Sequence, residues 1–358
     1  MAKTRVLVVD DSALVRGLLS EIINGQGDME CVGTAADPLI AREMIRSLNP
    51  DVITLDVEMP HMDGLDFLGK LMRLRPTPVV MVSTLTERGA DVTLRALELG
   101  AIDFVAKPGI GTTGGINGLR MLADDITDKV RVAAQAKMGR IATASAAPGK
   151  AVNGALALAP LTTLGPLSVE KMVFIGASTG GTEATRNVLM NLPPDCPAIV
   201  IAQHMPAGFT KSYAARLDRV CSMRVSEVCD GERILPGHAY IAPGGLQFSI
   251  ERSGANYIAR VQEGEPVNRH RPSVEVLFKS AARVVGPNAV GVMLTGMGAD
   301  GATAMKEMRD AGSYNLVQDE ASCVVFGMPR KAIACGAANE VLPLSQIAPK
   351  LIERLRST

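Results

Sequence analysis

The chain has 358 residues, 47% of them hydrophobic and 21% charged, which is material for two buried cores with no apolar run near the ~18 residues of a membrane span. Its 37 basic and 37 acidic residues cancel, but residues 1–108 are acidic (11 basic, 16 acidic), whereas 109–167 (6 and 3) and 168–358 (20 and 18) are slightly basic. Aromatics are 3% and Trp is absent, so neither the dense basic face nor the base-stacking platform of a nucleic-acid binder is present. The N-terminal apolar run Val6–Val9 stops at Asp10, too short for a signal peptide, and the chain is expected to be cytoplasmic. The six cysteines show no Cys-x-x-Cys spacing and are expected to be reduced and mostly buried.

In chain order, Arg5–Val9 is a predicted strand, followed by a helical pattern from Ser12 to about Asn24. Further strands are predicted at Val52–Leu55, Pro78–Val82 and Phe104–Ala106, with helices at Pro38–Ser47, Gly64–Leu74 and Ala90–Leu99 between them. This alternation implies a parallel sheet covered by helices on both faces. After Pro108 the chain turns glycine- and threonine-rich; Leu119–Met138 has helical spacing, and Gly139–Pro166 has the Ala/Gly/Thr/Pro composition of a linker. The expected division is 1–125, a helical extension and linker over 126–167, and a second α/β unit over 168–358.

In that second unit, strands are predicted at Met172–Ile175, Ala198–Ala202, Val290–Leu294 and Asn315–Val317. Helices are predicted at Glu183–Leu192, Pro272–Val285 and Ala302–Ala311, the middle one opened by Pro272 and closed by Gly286. Tyr240–Ala242, Gln247–Ile250 and Tyr257–Val261 suggest antiparallel hairpins, one turning through Ser253–Asn256.

Three carboxylates fall at predicted strand ends: Asp10 and Asp11 after the first strand, and Asp56 after Val52–Leu55. In a doubly wound sheet these ends gather at the carboxyl edge, where ligands bind. Clustered carboxylates repel, and a hard cation such as Mg²⁺ relieves them. Ser83 and Lys107 follow the next two strands and could support a phosphoryl group at Asp56, since carboxylates are known phosphoryl acceptors. The plainer reading is that Asp10 and Asp11 cap the following helix.

This set, with Pro60, Gly64, Phe104 and Pro108 at matching places, resembles the response-regulator receiver domain over residues 1 to about 125. The resemblance implies a flavodoxin-like fold with a parallel five-stranded sheet. It implies phosphotransfer from a partner histidine kinase to Asp56, supported by Ser83 and Lys107. The cation would be Mg²⁺ in the Asp10–Asp11–Asp56 cluster, the resemblance naming Asp11, Asp56 and the Glu58 carbonyl as its ligands.

Gly176-Ala177-Ser178-Thr179-Gly180-Gly181 follows a strand and opens a helix. It lacks the Gly-x-Gly-x-x-Gly spacing of a dinucleotide loop, and the next strand ends in Gln203-His204 rather than an acid. Ser178 is then either a helix cap or a nucleophile on a Gly-x-Ser-x-Gly turn. His204 and Asp300 follow neighbouring strands and could act as base and orienter, although Asp300 also fits a helix cap. The order Ser–His–Asp differs from the Ser–acid–His order of α/β-hydrolases, and Met297, in Thr295–Gly301, is the expected oxyanion N–H donor. His270 is a weaker candidate base.

Gly176–Gly181, Gln203–Pro206, His270–Val274 and Leu294–Gly301 resemble the catalytic domain of chemotaxis protein-glutamate methylesterases, over 172 to about 330. The resemblance implies hydrolysis of glutamate γ-methyl esters on chemoreceptor cytoplasmic domains and deamidation of receptor glutamines. The triad would be Ser178, His204 and Asp300, with no cofactor for hydrolysis. The kinase would be the chemotaxis histidine kinase; neither nucleic acid nor membrane insertion is expected. The rival class is a receiver joined to an inactive hydrolase fold that acts as an adaptor.

Overall fold

The structure is a computed structural model that describes residues 2–57, 59, 64–84, 86–107, 122–136 and 171–356. The chain divides into two compact units, within 1–147 and 148–358. In the first, β1 (Thr4–Val9), α1 (Ala13–Asn24), β2 (Met29–Ala35), α2 (Pro38–Leu48), β3 (Val52–Asp56), α3 (Gly64–Leu74), β4 (Val79–Thr84), α4 (Glu87–Glu98), β5 (Asp103–Lys107) and α5 (Ala123–Gln135) alternate. All sheet pairings are parallel, in the order β2-β1-β3-β4-β5. β1 and β3 are wholly apolar apart from Thr4, Arg5, Thr54 and Asp56, as expected of strands covered on both faces. The side chain of Ser12 caps α1, and that of Asp37 caps α2 through the N–H groups of Leu39 and Ile40.

Five strands were expected here, but β2 carries no run that marks it in the sequence. It is an edge strand, mostly half-buried, with Glu30, Gly33 and Thr34 interrupting its apolar residues. Ser83 lies inside β4, paired in register with Ala106, rather than after the strand. α5 packs against β3, β4, β5 and α1, so the expected division after residue 125 falls within a helix of the first unit. Glu58, Pro60, Pro108 and the linker 139–166 lie outside the described residues.

The second unit contains β6 (Met172–Ala177), α6 (Gly181–Met190), β7 (Ile199–Gln203), α7 (Phe209–Asp218), β8 (Arg224–Glu227), β9 (His238–Ile241), β10 (Gln247–Ser253), β11 (Asn256–Gln262), α8 (Val274–Val284), β12 (Ala289–Met293), α9 (Ala302–Asp310), β13 (Tyr314–Gln318), α10 (Met328–Ala334), β14 (Glu340–Leu342) and α11 (Leu344–Arg356). Its seven-stranded parallel sheet runs β14-β13-β12-β6-β7-β9-β8. The chain starts in the middle at β6, builds outward through β7, and returns to β12 on the other side. The point of reversal lies between β6 and β12. Phe174, Val200, Tyr240, Phe248, Phe278 and Met293 lie in one buried cluster that joins the sheet to α8 and the hairpin.

β10 and β11 form the expected antiparallel hairpin, with Ser253 opposite Asn256. Tyr240–Ala242 does not belong to it: β9 is almost fully buried and pairs in parallel with both β7 and β8. An apolar run of this kind reads equally as hairpin or buried parallel strand, and burial on both faces selects the second. α8 begins at Val274, two residues after Pro272, because Ser273 is still extended; its C-terminal end is followed by a short 3-10 turn, Gly286–Asn288. The edge strands β8 and β14 and the helices α7, α10 and α11 were not anticipated. All six cysteines are free, but only Cys196 and Cys323 are buried, against the expectation that most would be.

Candidate functional sites

In the first unit, Asp10 follows β1 and Asp56 ends β3, so both lie at the β1/β3 switch of the sheet. Ligand oxygens of Asp10, Asp11 and Asp56 lie within 4.8 Å of one another. Lys107, at the end of β5, places its Nζ 2.7 Å from Asp10 Oδ2 and 2.8 Å from Asp56 Oδ2. Burial opposes the charge on Lys107, yet Asp56 and Asp10 outweigh it and raise its pKa. Among the described residues, the three carboxylates outnumber the one lysine, and a divalent cation would offset their charge. The oxygen-only donor set suits Mg²⁺.

The capping alternative for the two acids does not describe this site. Ser12 caps α1, while its N–H donates to Asp10 Oδ1 (3.0 Å) and Arg16 holds the main-chain carbonyls of Asp10 and Asp11. Asp56 Oδ1 accepts from the Val57 N–H at 2.7 Å, and Ser83 is buried beneath the same edge. Phe104, the aromatic of β5, is buried, and its carbonyl accepts from Lys129 of α5.

In the second unit the parallel register fixes the relation of Ser178 to His204. Ala177 of β6 pairs with Gln203 of β7, so the next residue of each strand leaves the sheet in step. The His204 N–H donates to Ala177 O (3.0 Å), and Gln203 Nε2 donates to Ser178 O (2.9 Å). From the other side, Ser178 N–H donates to Thr295 O (3.1 Å), just beyond β12. Gly296 passes so close that a Cβ there would stand 2.7 Å from the Ser178 Cβ, which explains the glycine. Gly180, at φ +75°, begins α6 without a side-chain cap, so Ser178 does not serve as one.

Asp300 is 2% exposed and its carboxylate is engaged at both oxygens. Its Oδ2 accepts from His204 Nε2 (2.8 Å) and the Val274 N–H (2.7 Å); its Oδ1 accepts from Asn268 Nδ2 (2.8 Å), Ser273 Oγ (2.8 Å) and the Glu275 N–H (3.3 Å). The alternative capping role is present as well, but on α8, reached through space, rather than on its own helix α9, which Gly301 begins uncapped. Burial alone would raise this carboxyl; the His204 hydrogen bond and charge, with Asn268 and Ser273, instead pull it down to about 2. The donors of α8's first turn fix a carboxylate, and the carboxylate in turn fixes the imidazole.

With Nε2 engaged by Asp300, the lone pair is assigned to His204 Nδ1, which is buried and has no hydrogen-bond partner among the described residues. The ring of His270 stacks on His204 at 3.6 Å between centroids and 13° between planes. Gln247 braces that segment: its Nε2 donates to the His270 carbonyl and its Oε1 accepts from the Ser273 N–H. His270 thus belongs to the site as a stacking partner, a role that its sequence position did not disclose. Met297 lies half-buried in the loop beside Ser178, and no hydrogen bond engages its N–H among the described residues.

The sequence profile of the CheB methylesterase family matches residues 173–351, and that of the response regulator receiver domain matches residues 6–112. A protein-glutamate methylesterase/protein-glutamine glutaminase of Albidiferax ferrireducens is 68% identical over 358 residues, covering 100% of this chain and 95% of the relative. The chain belongs to this family of enzymes. A further member, from Nitrosomonas europaea, is 59% identical over 99% of this chain and 97% of its own. The solved catalytic domain of Thermotoga maritima CheB methylesterase is 39% identical, with a TM-score of 0.51, covering 51% of this chain and 98% of that one. The methylesterase thus joins a receiver fold to the catalytic fold of its family, and none of its described helices is long and apolar enough to cross a membrane.

Proposed function

We propose that the methylesterase hydrolyses glutamate γ-methyl esters on the cytoplasmic domains of chemoreceptors, and deamidates receptor glutamines, through an acyl-enzyme on Ser178. The observation that carries this reading is His204, tied by Nε2 to Asp300 at 2.8 Å and with no partner on its Nδ1 among the described residues, just past a strand whose register brings its end level with that of Ser178. Ser178 Oγ attacks the ester carbonyl carbon, and its proton passes to His204 Nδ1. The imidazolium keeps its Nε2–H on Asp300, whose depressed pKa keeps that carboxylate charged. The Met297 N–H stabilises the oxyanion, a donor worth roughly 3–4 kcal/mol. Collapse breaks the C–O bond, methanol leaves with the proton from His204, and water repeats the sequence in reverse on the acyl-enzyme. For a glutamine side chain the leaving group is ammonia. No step requires a cofactor.

The receiver unit accepts a phosphoryl group on Asp56 from the chemotaxis histidine kinase: an Asp56 oxygen bonds to phosphorus as the donor's P–N bond breaks. Mg²⁺ held by Asp10, Asp11, Asp56 and the Glu58 carbonyl would neutralise charge on the transferring group. Lys107 and Ser83 provide a cation and a hydroxyl at the same strand edge. Phosphorylation then raises the activity of the catalytic unit, which extends over 168–358.

The test is methanol release by Ser178→Ala protein, followed beside thermal unfolding. The expected result is loss of nearly all turnover with little change in Tm, since no hydrogen bond among the described residues runs through the hydroxyl. His204→Ala should resemble it, and the double variant should be scarcely worse, because nucleophile and base act as a unit. Near-normal turnover in Ser178→Ala would place the nucleophile elsewhere.

A further inference from the structure

A general base needs its ring plane held as well as its proton placed. The Asp300 Oδ2 acceptor at 2.8 Å fixes Nε2 of His204, but a single hydrogen bond leaves a flat ring able to rock about that contact. The second restraint is the His270 ring, stacked on it at 3.6 Å and 13° from parallel. His270 comes from a surface turn, and such turns are the more mobile parts of a fold. The plane of His204 is thus only as fixed as that turn.

The turn runs from Val267 to His270. These two residues exchange main-chain hydrogen bonds in both directions, at 3.2 and 3.0 Å, and pair as an isolated antiparallel bridge. Asn268 and Arg269 form its corners at φ +50° and +71°, the positive values of the tightest strand-joining turns. Asparagine suits such a corner; arginine suits it poorly, because its Cβ crowds the backbone there. Both corner residues are exposed. Yet the Asn268 amide reaches inward and donates to Asp300 Oδ1 at 2.8 Å, while Asp300 itself is 2% exposed. A glycine would meet the conformation equally well, so what asparagine adds at this corner is the donor.

These contacts close a ring. Asp300 Oδ2 holds His204, His204 carries His270 on its face, and Asn268, two residues before His270, returns to Asp300 Oδ1. We infer that Asn268 is a positioning residue for the hydrolysis: its bond to Asp300 seats the Val267–His270 turn so that the His270 ring fixes the plane of the His204 imidazole. Gln247 braces the far end of the turn through the His270 carbonyl (3.1 Å), and Asn268 ties its near corner to the triad acid. The inference rests on the hydrolytic reading of Ser178, His204 and Asp300, and adds to that site a residue from outside the triad.

Asn268→Gly keeps a residue that accepts positive φ and removes the donor. In the full-length protein it should lower kcat for methanol release from a methylated receptor fragment about tenfold, with KM within about twofold of wild type. Combined with His270→Ala it should cost no more than about twofold beyond the worse single variant, because both act through one stacked ring. The low-field proton resonance of the His204 Nε2–H, identified by its absence from His204→Ala, should shift or broaden in Asn268→Gly. A role in folding alone would lower Tm and leave that resonance in place. Asn268→Asp, which keeps the turn but sets a second carboxylate against Asp300, carries the same readouts if the glycine variant does not fold. Wild-type kcat and resonance in a folded variant, a lower kcat with the resonance unmoved, or losses that multiply in the double variant overturn the inference. The resonance is read without substrate. Should Ser178→Ala retain turnover and refute the hydrolytic reading, the resonance still decides whether Asn268 positions the ring.

Discussion

Asp300 performs two jobs that substitution can separate. Its carboxylate accepts five hydrogen bonds, one from the imidazole and four that secure the approach to α8 and its first turn. Asp300→Ala removes the acceptor and strands the buried N–H groups of Val274 and Glu275, a loss comparable to breaking a buried ion pair, about 3–5 kcal/mol. For a unit of this size that is a fall in Tm of roughly 6–20 °C. The imidazole of that variant remains free to adopt either tautomer, so part of the activity survives.

Asp300→Asn behaves differently. If the amide nitrogen replaces Oδ1, it confronts two fixed donors, Asn268 Nδ2 and the Glu275 N–H; if it replaces Oδ2, it confronts one, the Val274 N–H. The second orientation is the less costly, and it points an N–H at His204 Nε2. The ring must then carry its proton on Nδ1, where it cannot take the proton of Ser178. In a serine triad this error costs about 10⁴ in rate. Asp300→Asn should therefore be the more stable and the less active of the two. Methanol release and thermal unfolding on both variants check this; the opposite ranking in activity would refute the assignment of Nδ1 as the accepting nitrogen. The pH dependence has a definite sign. The Asp300 carboxyl is held at about 2 against its ordinary 3.8, so its contribution is complete above 3.8 and disappears as the pH falls through 2. That difference is worth roughly 2–3 kcal/mol, and neither variant should show this acid-side loss.

Other predictions follow from single features. Asp56→Asn should take up no phosphate from a small phosphodonor with Mg²⁺ and show no stimulation of hydrolysis; incorporation at the wild-type level would move the acceptor elsewhere. His270→Ala should lower kcat up to about tenfold with little change in KM, while His270→Phe, which keeps a flat ring against the His204 imidazolium, should recover most of it; equal loss in both would mean that His270 acts through something other than its stacked ring. A fragment of residues 168–358 should fold and hydrolyse receptor esters without a phosphodonor, at a rate above that of the unphosphorylated whole chain; a folded fragment slower than that chain would show that the receiver activates by contact rather than by restraint.

The parts of this molecule legible in its sequence are those encoded by neighbours in the chain. Central strands such as Val52–Asp56 and Ala289–Met293 are buried on both faces and announce themselves as apolar runs, and the strand-end residues Asp10, Asp56, Ser178 and His204 follow directly from them. The edge strands β2, β8 and β14 are half-exposed and read as mixed polar sequence. What the sequence withheld is the through-space wiring. The partners of Asp300 lie 25 to 96 residues away, and the stack of His270 on His204 depends on a loop whose path is set by Gln247. A helix cap was the alternative weighed for Asp300, and the helix it caps is α8 rather than its own α9, because local periodicity cannot show which helix end a loop will meet.

The two sites obey one topological rule with opposite electrostatics. In each sheet the strand order reverses beside the first strand, β1/β3 in one and β6/β12 in the other, and the loops that follow are forced apart there. Among its described residues, the receiver places three carboxylates and one lysine in its crevice, a set suited to a divalent cation. The catalytic unit places one carboxylate in its own crevice and satisfies it completely with helix N–H groups, an amide, a hydroxyl and the imidazole. Such a carboxylate has little capacity left for a metal, and its bonds go to the start of α8 and to Nε2 of His204. The difference in chemistry between the two units thus lies in how many donors the surrounding chain supplies to acids at the same topological position.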